Sequence, residues 1–337
     1  MSADMHRGQR ASLGNQTDHA IKAGYKRAAD FFATRHKFLL LPGGHPYKSN
    51  MTATPGQVLK RIVQSRRGVL LPGAANALTA RVIEELGYEA VYITGAGVSN
   101  TWLGMPDLSF IGLSDIAAHT SVIREAVSLP IVVDADTGFG NAVNIYHTVR
   151  TLERAGANAI QIEDQETPKK CGHTPGRRVV PAEEMVLKIK VAVEARRHEE
   201  TMIVARTDAR TAHGLDEALR RATLYEAAGA DVIFVESPES EAELERIGRE
   251  VSKPLLANMV EFGKTPRVEV ERLKKWGFDL AIYPGLGFSV AAEAMRLSWA
   301  HLKDKGTSID VAVPQYRDMH ELMGFADVWD FEKRWAP

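Results

Sequence analysis

The chain has 337 residues, 45% of them hydrophobic, and its 42 Lys and Arg residues are matched by 43 Asp and Glu. A sequence pI near 6.8 leaves no basic footprint for nucleic acid or an anionic membrane surface. No apolar run approaches the roughly 18 residues that a membrane span needs. One cysteine, Cys171, excludes both an intramolecular disulfide framework and a cysteine-based zinc site.

Residues 1–52 read as an N-terminal extension with a short helix expected near 21–33, and residues 53–337 as a single domain. The longest apolar stretch in the extension, Phe38-Leu39-Leu40-Leu41, is too short for a secretory signal core. Asp4, Asp18 and Asp30 weaken a mitochondrial presequence, so a cytoplasmic location is expected. From residue 68 onward, Val- and Ile-rich runs alternate with amphipathic stretches of helical period. Strands are predicted at 68–72, 90–94, 130–136, 159–164, 202–208, 231–236, 254–258 and 279–284. The intervening helices are predicted at 79–86, 141–155, 182–197, 216–228, 240–251 and 266–276. Gly87, Gly156, Gly229 and Gly277 stand where such helices should stop.

The strands are continuous apolar runs, as in sheets buried on both faces. Eight strand–helix units predict an α/β fold, a closed (β/α)₈ barrel, with an open doubly wound sheet as the alternative. A long helix is expected at 290–305 and one or two more at 314–335. Apolar helices beyond a closed barrel need something to cover, and a neighbouring subunit is the expected partner.

In a barrel of this kind the C-terminal strand ends carry the chemistry. The polar residues there are Thr94, Asp134, Asp136, Glu163, Asp164, Arg206, Asp208, Glu236 and Asn258. Asp134, Asp136 and Glu163 on adjacent strands would repel one another without a cation, and an oxygen-only donor set suits Mg²⁺, or Mn²⁺. Gly95-Ala96-Gly97 after strand two has Asn100 at the third glycine position, a weak dinucleotide signal. Thr94 with nearby backbone N–H groups fits a cradle for a carboxylate or phosphate more economically. Arg206 and Asn258 could hold a second carboxylate, the arginine by its bidentate fork. Cys171 lies in Lys169-Lys170-Cys171-Gly172-His173, where Lys and His charge is expected to favour a thiolate on a surface loop.

Taken together, Asp134-Ala-Asp136-Thr-Gly-Phe-Gly140, Ile162-Glu-Asp-Gln165, Lys169-Lys-Cys-Gly-His173, Ala205-Arg-Thr-Asp208 and Leu256-Ala-Asn-Met-Val-Glu-Phe-Gly263 resemble the isocitrate lyase / phosphoenolpyruvate mutase superfamily. The resemblance runs from about residue 53 to the C-terminus. Its Lys-Lys-Cys-Gly-His loop is that of the carbon–carbon lyase branch, which includes 2-methylisocitrate and 2,3-dimethylmalate lyases. Phosphonomutases carry an Asn-Ser-containing loop there instead. The resemblance implies Mg²⁺, with Asp134 as direct ligand and Asp136, Glu163 and Asp107 holding its waters. It implies that Thr94, Gly95 and Ala96 hold the carboxylate of a pyruvate-like half, with Asp136, Gly172, Arg206, Glu236 and Asn258 orienting the substrate. A lid at about 166–178 would bring Cys171, with Lys169 and His173, over the site as general acid for a retro-aldol cleavage of a 2-hydroxy di- or tricarboxylate. Tyr92 is the expected base by motif position, with a barrel-core aromatic as the alternative reading. A last helix swapped between subunits, in a homo-oligomer such as a tetramer, is also implied. Family lyases commonly show Ser-Gly-Gly where Thr94-Gly95-Ala96 stand here, which keeps dimethylmalate-like and oxaloacetate-like substrates open beside methylisocitrate; a phosphonomutase or oxaloacetate decarboxylase/hydrolase of the same superfamily is the alternative activity.

Overall fold

The computed structural model describes residues 53–336. The helix expected at 21–33 lies outside them. Eight parallel strands close on themselves in chain order: β1 (Val69–Ala74), β2 (Val91–Ile93), β3 (Ile131–Asp134), β4 (Ala159–Glu163), β5 (Met202–Thr207), β6 (Val232–Val235), β7 (Leu255–Asn258) and β8 (Leu280–Tyr283). Closure is made by β1 on β8, with Val69 opposite Leu280 and Leu71 opposite Ile282, so the open-sheet alternative is excluded.

The strands bury both faces, and their two side-chain parities go to two different cores. Leu71, Tyr92, Val132, Val204, Phe234, Leu256 and Ile282 fill the barrel interior. Their chain neighbours Ile93, Val133, Ala205, Val235, Ala257 and Ala281 face the surrounding helices. The helices follow the predicted order, as Ala77–Glu85, Ala142–Ala155, Ala182–Ala195, Leu215–Ala227, Glu241–Glu250 and Val270–Lys275. Gly87, Gly156, Gly229 and Gly277 all take positive φ, between 79° and 104°, and each turns the chain after a helix.

Among the described residues, two helices of ten residues or more escaped the periodicity. Leu113–Ala126, between β2 and β3, starts at Gly112 and has only Ile116, Thr120 and Ile123 buried, a narrow stripe. Pro55–Gln64 opens on a capping box, Thr54 accepting from the N–H of Gln57 and Gln57 from that of Thr54. That Thr-Pro-x-Gln signal was available in the sequence. The helix sets Leu59, Ile62 and Val63 into the interior cluster, and so stoppers the N-terminal mouth of the barrel.

One polar device recurs at that end. Asn158 accepts the N–H of Ile131, Asp231 that of Ile203, and Asp279 that of Leu255, each residue just before one strand capping the first or second N–H of the strand before it. Asp279→Ala would leave the buried N–H of Leu255 unpaired and is expected to cost about 1–3 kcal/mol. A urea unfolding midpoint equal to wild type would contradict that role.

Beyond β8 the chain forms Leu286–Lys305, Tyr316–Leu322 and Phe325–Trp335. The long helix begins a turn earlier than expected, with Gly287 beside Thr79 and the carbonyl of Gly73. It buries no residue fully and leaves Val290, Met295 and Trp299 exposed. Arg81 donates to the carbonyl of Leu322, tying the following helix to the barrel wall.

Candidate active site

The interior parity that carries Tyr92, Val132, Phe234 and Leu256 continues upward, two residues further on, to Thr94, Asp134, Glu236 and Asn258. On β4 and β5 it reaches Glu163 and Arg206. The C-terminal mouth is therefore lined by buried polar groups on the same stripe that packs the core below. Asp164 has the opposite parity. It accepts from Thr207, Arg221 and Tyr225 behind the strands and stays outside the mouth.

The mouth is roofed by residues 165–180. Their stem is pinned by a bridge between Gln165 and Val179 and by the N–H of Glu166 donating to the carbonyl of Arg178. The tip folds inward and is tied to three other loops. Lys169 N–H donates to Ser109 Oγ (2.9 Å), and Cys171 N–H donates to the carbonyl of Asp107 (3.3 Å). Ser237 Oγ donates to the carbonyl of Gly172 (2.7 Å), and the N–H of Lys264 donates to His173 Nδ1 (3.1 Å). Gly172 lies so close to Arg206 and Glu236 that a Cβ there would come within 2.6 Å of Arg206 Nη2, so any other residue must displace the lid or these two side chains.

Lys169 does not serve the thiol. Its Nζ lies 2.7 and 2.8 Å from the two oxygens of Asp107 and 2.9 Å from Asp136 Oδ1, buried among the mouth acids. Burial disfavours its charge, but Asp136, Glu163, Asp107 and Asp134 more than offset this and hold its pKa well above the ordinary lysine value. The thiol is half-buried, and burial pushes its pKa up, the reverse of the activated thiolate expected from the neighbouring sequence. Cys171 thus keeps its proton at neutral pH. His173 accepts at Nδ1, which fixes its proton on Nε2; burial lowers its pKa, and Nε2 lies 3.5 Å from Glu236 Oε1.

Tyr92 sits one layer below the acids. Its hydroxyl donates to Gln161 Oε1 (3.1 Å), and Gln161 Nε2 donates to Asp134 Oδ1 (3.2 Å). Burial, then the charge of Asp134, holds its pKa well above that of a free phenol. Tyr92 therefore lies in the floor of the mouth with its phenol proton engaged on Gln161. Thr94 Oγ1 accepts from the N–H of Gly97, which leaves its hydroxyl proton to offer a ligand. Gly95 and Ala96 follow in the short helix Gly95–Val98. A Cβ on Gly95 would come within 3.2 Å of Asp136 and 3.3 Å of Asp134, so two carboxylates converge beside that glycine.

Among the described residues no three His, Cys, Asp or Glu side chains are gathered tightly enough to ligate one ion directly. The crowding expected of Asp134, Asp136 and Glu163 is relieved by the Lys169 ammonium standing among them. The residues nevertheless fit a hard cation that keeps most of its waters, because such an ion needs one direct carboxylate and others at a water's remove. Burial raises Glu163 well above the ordinary carboxylate range and pushes Asp136 up to about 7. Asp136 Oδ1 is met by the Lys169 ammonium, but Glu163 Oε1, His173 Nε2 and Asn258 Oδ1 are buried without a hydrogen-bond partner, and buried polar atoms are rarely left so without a ligand to meet them.

Arg206 is the hub of the far side. Its guanidinium meets Asp208 (2.9 and 3.0 Å), Glu163 (3.3 Å) and Glu236 (3.3 Å), while Asn258 Nδ2 donates to Glu236 Oε2 (3.0 Å). Asp208 caps no helix; Arg206 and then Arg177 hold its carboxyl below the usual range against the cost of burial. Gln161, Arg177 and Ser237 belong to the site but were not singled out from the sequence. Gln161 alone had a readable signal, its place on the interior parity two residues before Glu163.

A family model described as phosphoenolpyruvate phosphomutase matches residues 59–303. The chain is 45% identical over 280 residues to 2,3-dimethylmalate lyase of Eubacterium barkeri, covering 82% of this chain and 97% of that protein. It is also 45% identical over 282 residues to 2-methylisocitrate lyase of Aeropyrum pernix, covering 83% and 90%. A crystal structure of 2,3-dimethylmalate lyase, a PEP mutase/isocitrate lyase superfamily member, superposes with a TM-score of 0.80 at 31% identity, covering 84% of this chain and 96% of that one.

Proposed function

This chain belongs to the PEP mutase/isocitrate lyase superfamily, and from that premise we propose that it is a carbon–carbon lyase. It would cleave a 2-hydroxy di- or tricarboxylate, of the 2,3-dimethylmalate or 2-methylisocitrate kind, to an α-keto acid such as pyruvate and a second carboxylic acid. The observation that carries this reading is a lid folded over the mouth with Cys171 at its tip, above three buried polar atoms, Glu163 Oε1, His173 Nε2 and Asn258 Oδ1, that lack hydrogen-bond partners.

Asp134 would hold Mg²⁺ (or Mn²⁺) directly, with Asp136, Glu163 and Asp107 acting through its waters. When bound, the cation supplies positive charge to the carboxylate and hydroxyl oxygens of the substrate. Thr94 donates its hydroxyl proton to the carboxylate of the half that becomes the keto acid, beside Gly95 and Ala96. Arg206, His173 Nε2–H and Asn258 orient the other carboxylate, and the Gly172 segment closes over it. The substrate hydroxyl yields its proton to one of the mouth carboxylates, which becomes the carboxylic acid, as the carbon–carbon bond breaks. The departing carbon, carrying the electron pair as a carboxylate-stabilised carbanion, takes the proton of Cys171. Water exclusion by the lid protects that carbon until the proton arrives. The exposed Val290, Met295 and Trp299 of the helix Leu286–Lys305 support a homo-oligomer in which a second copy covers this face.

A coupled pyruvate assay over a panel of 2-hydroxy acids, with and without EDTA, tests the reading. Turnover of at least one branched malate or isocitrate is expected, lost with EDTA and restored by Mg²⁺. Turnover indifferent to EDTA would remove the cation. A phosphorus–carbon product from an enolpyruvate phosphonate, seen by phosphorus NMR, would replace the lyase with the mutase to which the matched family model points.

A further inference from the structure

We infer that Arg177 and Asp208 are positioning residues, a pin that fixes the closed lid and the direction of Arg206 together. The inference rests on reading the mouth as the reaction site, but the coupling itself stands on geometry. Arg177 closes the moving part of the lid, two residues before Val179 of the pinned stem. Its side chain is wholly buried, unusual for an arginine on a loop. Through Nη1 it pairs with Asp208, and through Nη2 it donates to Thr211, with Ser237 Oγ 3.5 Å away. Asp208 presents its other side to Arg206, accepting from Nε at 2.9 Å and Nη2 at 3.0 Å. Ser237, the third member, donates to the carbonyl of Gly172 at the lid tip. Base of lid, tip of lid and substrate-facing arginine therefore meet on one buried carboxylate and one hydroxyl.

A buried carboxylate between two guanidinium groups cannot lose one of them without consequence, since breaking such a pair leaves charge uncompensated. With Arg177 gone, Asp208 has Arg206 as its sole cationic partner and draws it away from Glu163 and Glu236, while the lid loses its base anchor. The planar fork is part of the function, because Arg177 spans Asp208 and Thr211 at once and a lysine reaches one of them.

Cys171 reads the lid position directly, because it is the chain's one cysteine and lies on the tip. The test is the rate of Cys171 alkylation by iodoacetamide in the full-length protein and in Arg177→Gln, Arg177→Lys and Ser237→Ala. Rates are taken at several pH values, so that altered thiol acidity, which shifts the midpoint, is told apart from altered access, which scales the rate at every pH. Arg177→Gln is expected to be alkylated about tenfold faster at every pH, with Arg177→Lys between it and wild type. On any substrate turned over, KM should rise by a larger factor than kcat falls. Ser237→Ala, a milder change that releases the tip and removes only a long contact from Arg177, should also speed alkylation, and it keeps the test intact if the Arg177 variants fail to fold. Wild-type alkylation rates in the folded variants overturn the pin whether or not the protein proves to be a lyase, and a lysine variant no better than glutamine overturns it as well.

Discussion

Cys171→Ser is expected to lower kcat by about 10²- to 10⁴-fold, the range of a lost general acid, while a small dicarboxylate such as oxalate still binds within a few-fold of wild type. The hydroxyl that replaces the thiol is several orders of magnitude less acidic, yet it is smaller and leaves Gly172 and His173 where they are. The raised thiol pKa fixes the sign of the pH dependence. An acid must carry its proton to act, so activity holds through neutral pH and falls only as pH climbs past a value above the ordinary cysteine value of about 8.5. That alkaline limb belongs to Cys171 and should disappear from the residual activity of the serine variant. Undiminished cleavage by Cys171→Ser, or an unchanged limb, would remove the thiol from the chemistry.

Asp134→Asn is the second large effect. Its oxygens are shared among the N–H of Asp136, Gln161 Nε2 and the space beside Gly95, and the amide keeps the shape while removing the charge. Residues that act on a metal through water lose about 10- to 100-fold in affinity or activity when replaced, and a direct ligand should lose at least the upper figure. Mn²⁺ titration followed by electron paramagnetic resonance reads this without any substrate. Affinity should fall by about 100-fold or more in Asp134→Asn and by about 10- to 100-fold in Asp136→Asn. Equal Mn²⁺ affinity in wild type and Asp134→Asn would move the cation elsewhere.

The barrel was legible because strands buried on both faces leave long Val- and Ile-rich runs, and Gly156 and Gly229 mark where helices end. Most of the site was legible for a related reason. Thr94, Asp134, Glu163, Arg206, Glu236 and Asn258 each stand where an apolar run turns polar, and parity carries them inward. The sequence misled where neighbours along the chain part company in space. Lys169 is two residues from Cys171, but its ammonium travels to Asp107 and Asp136, 62 and 33 residues away. The lid's partners, Ser109, Ser237 and the N–H of Lys264, come from three separate loops, and no local pattern announces such meetings. Arg177 has no local signal that sets it apart from the exposed Arg178, since burial of a charge depends on a partner, here Asp208, that only the folded chain supplies. The helix Leu113–Ala126 was missed because its buried stripe is too thin to stand out against the alanines around it.

The stoppered floor of the barrel has a consequence for traffic. With Leu59, Ile62 and Val63 plugging the N-terminal end and side chains filling the interior, the mouth under residues 165–180 is the one way in. For the proposed cleavage, substrate, water and both products would then share one passage. Turnover by that route would not outrun the opening of the lid, and of the two products the one lodged deeper would wait for the other to leave.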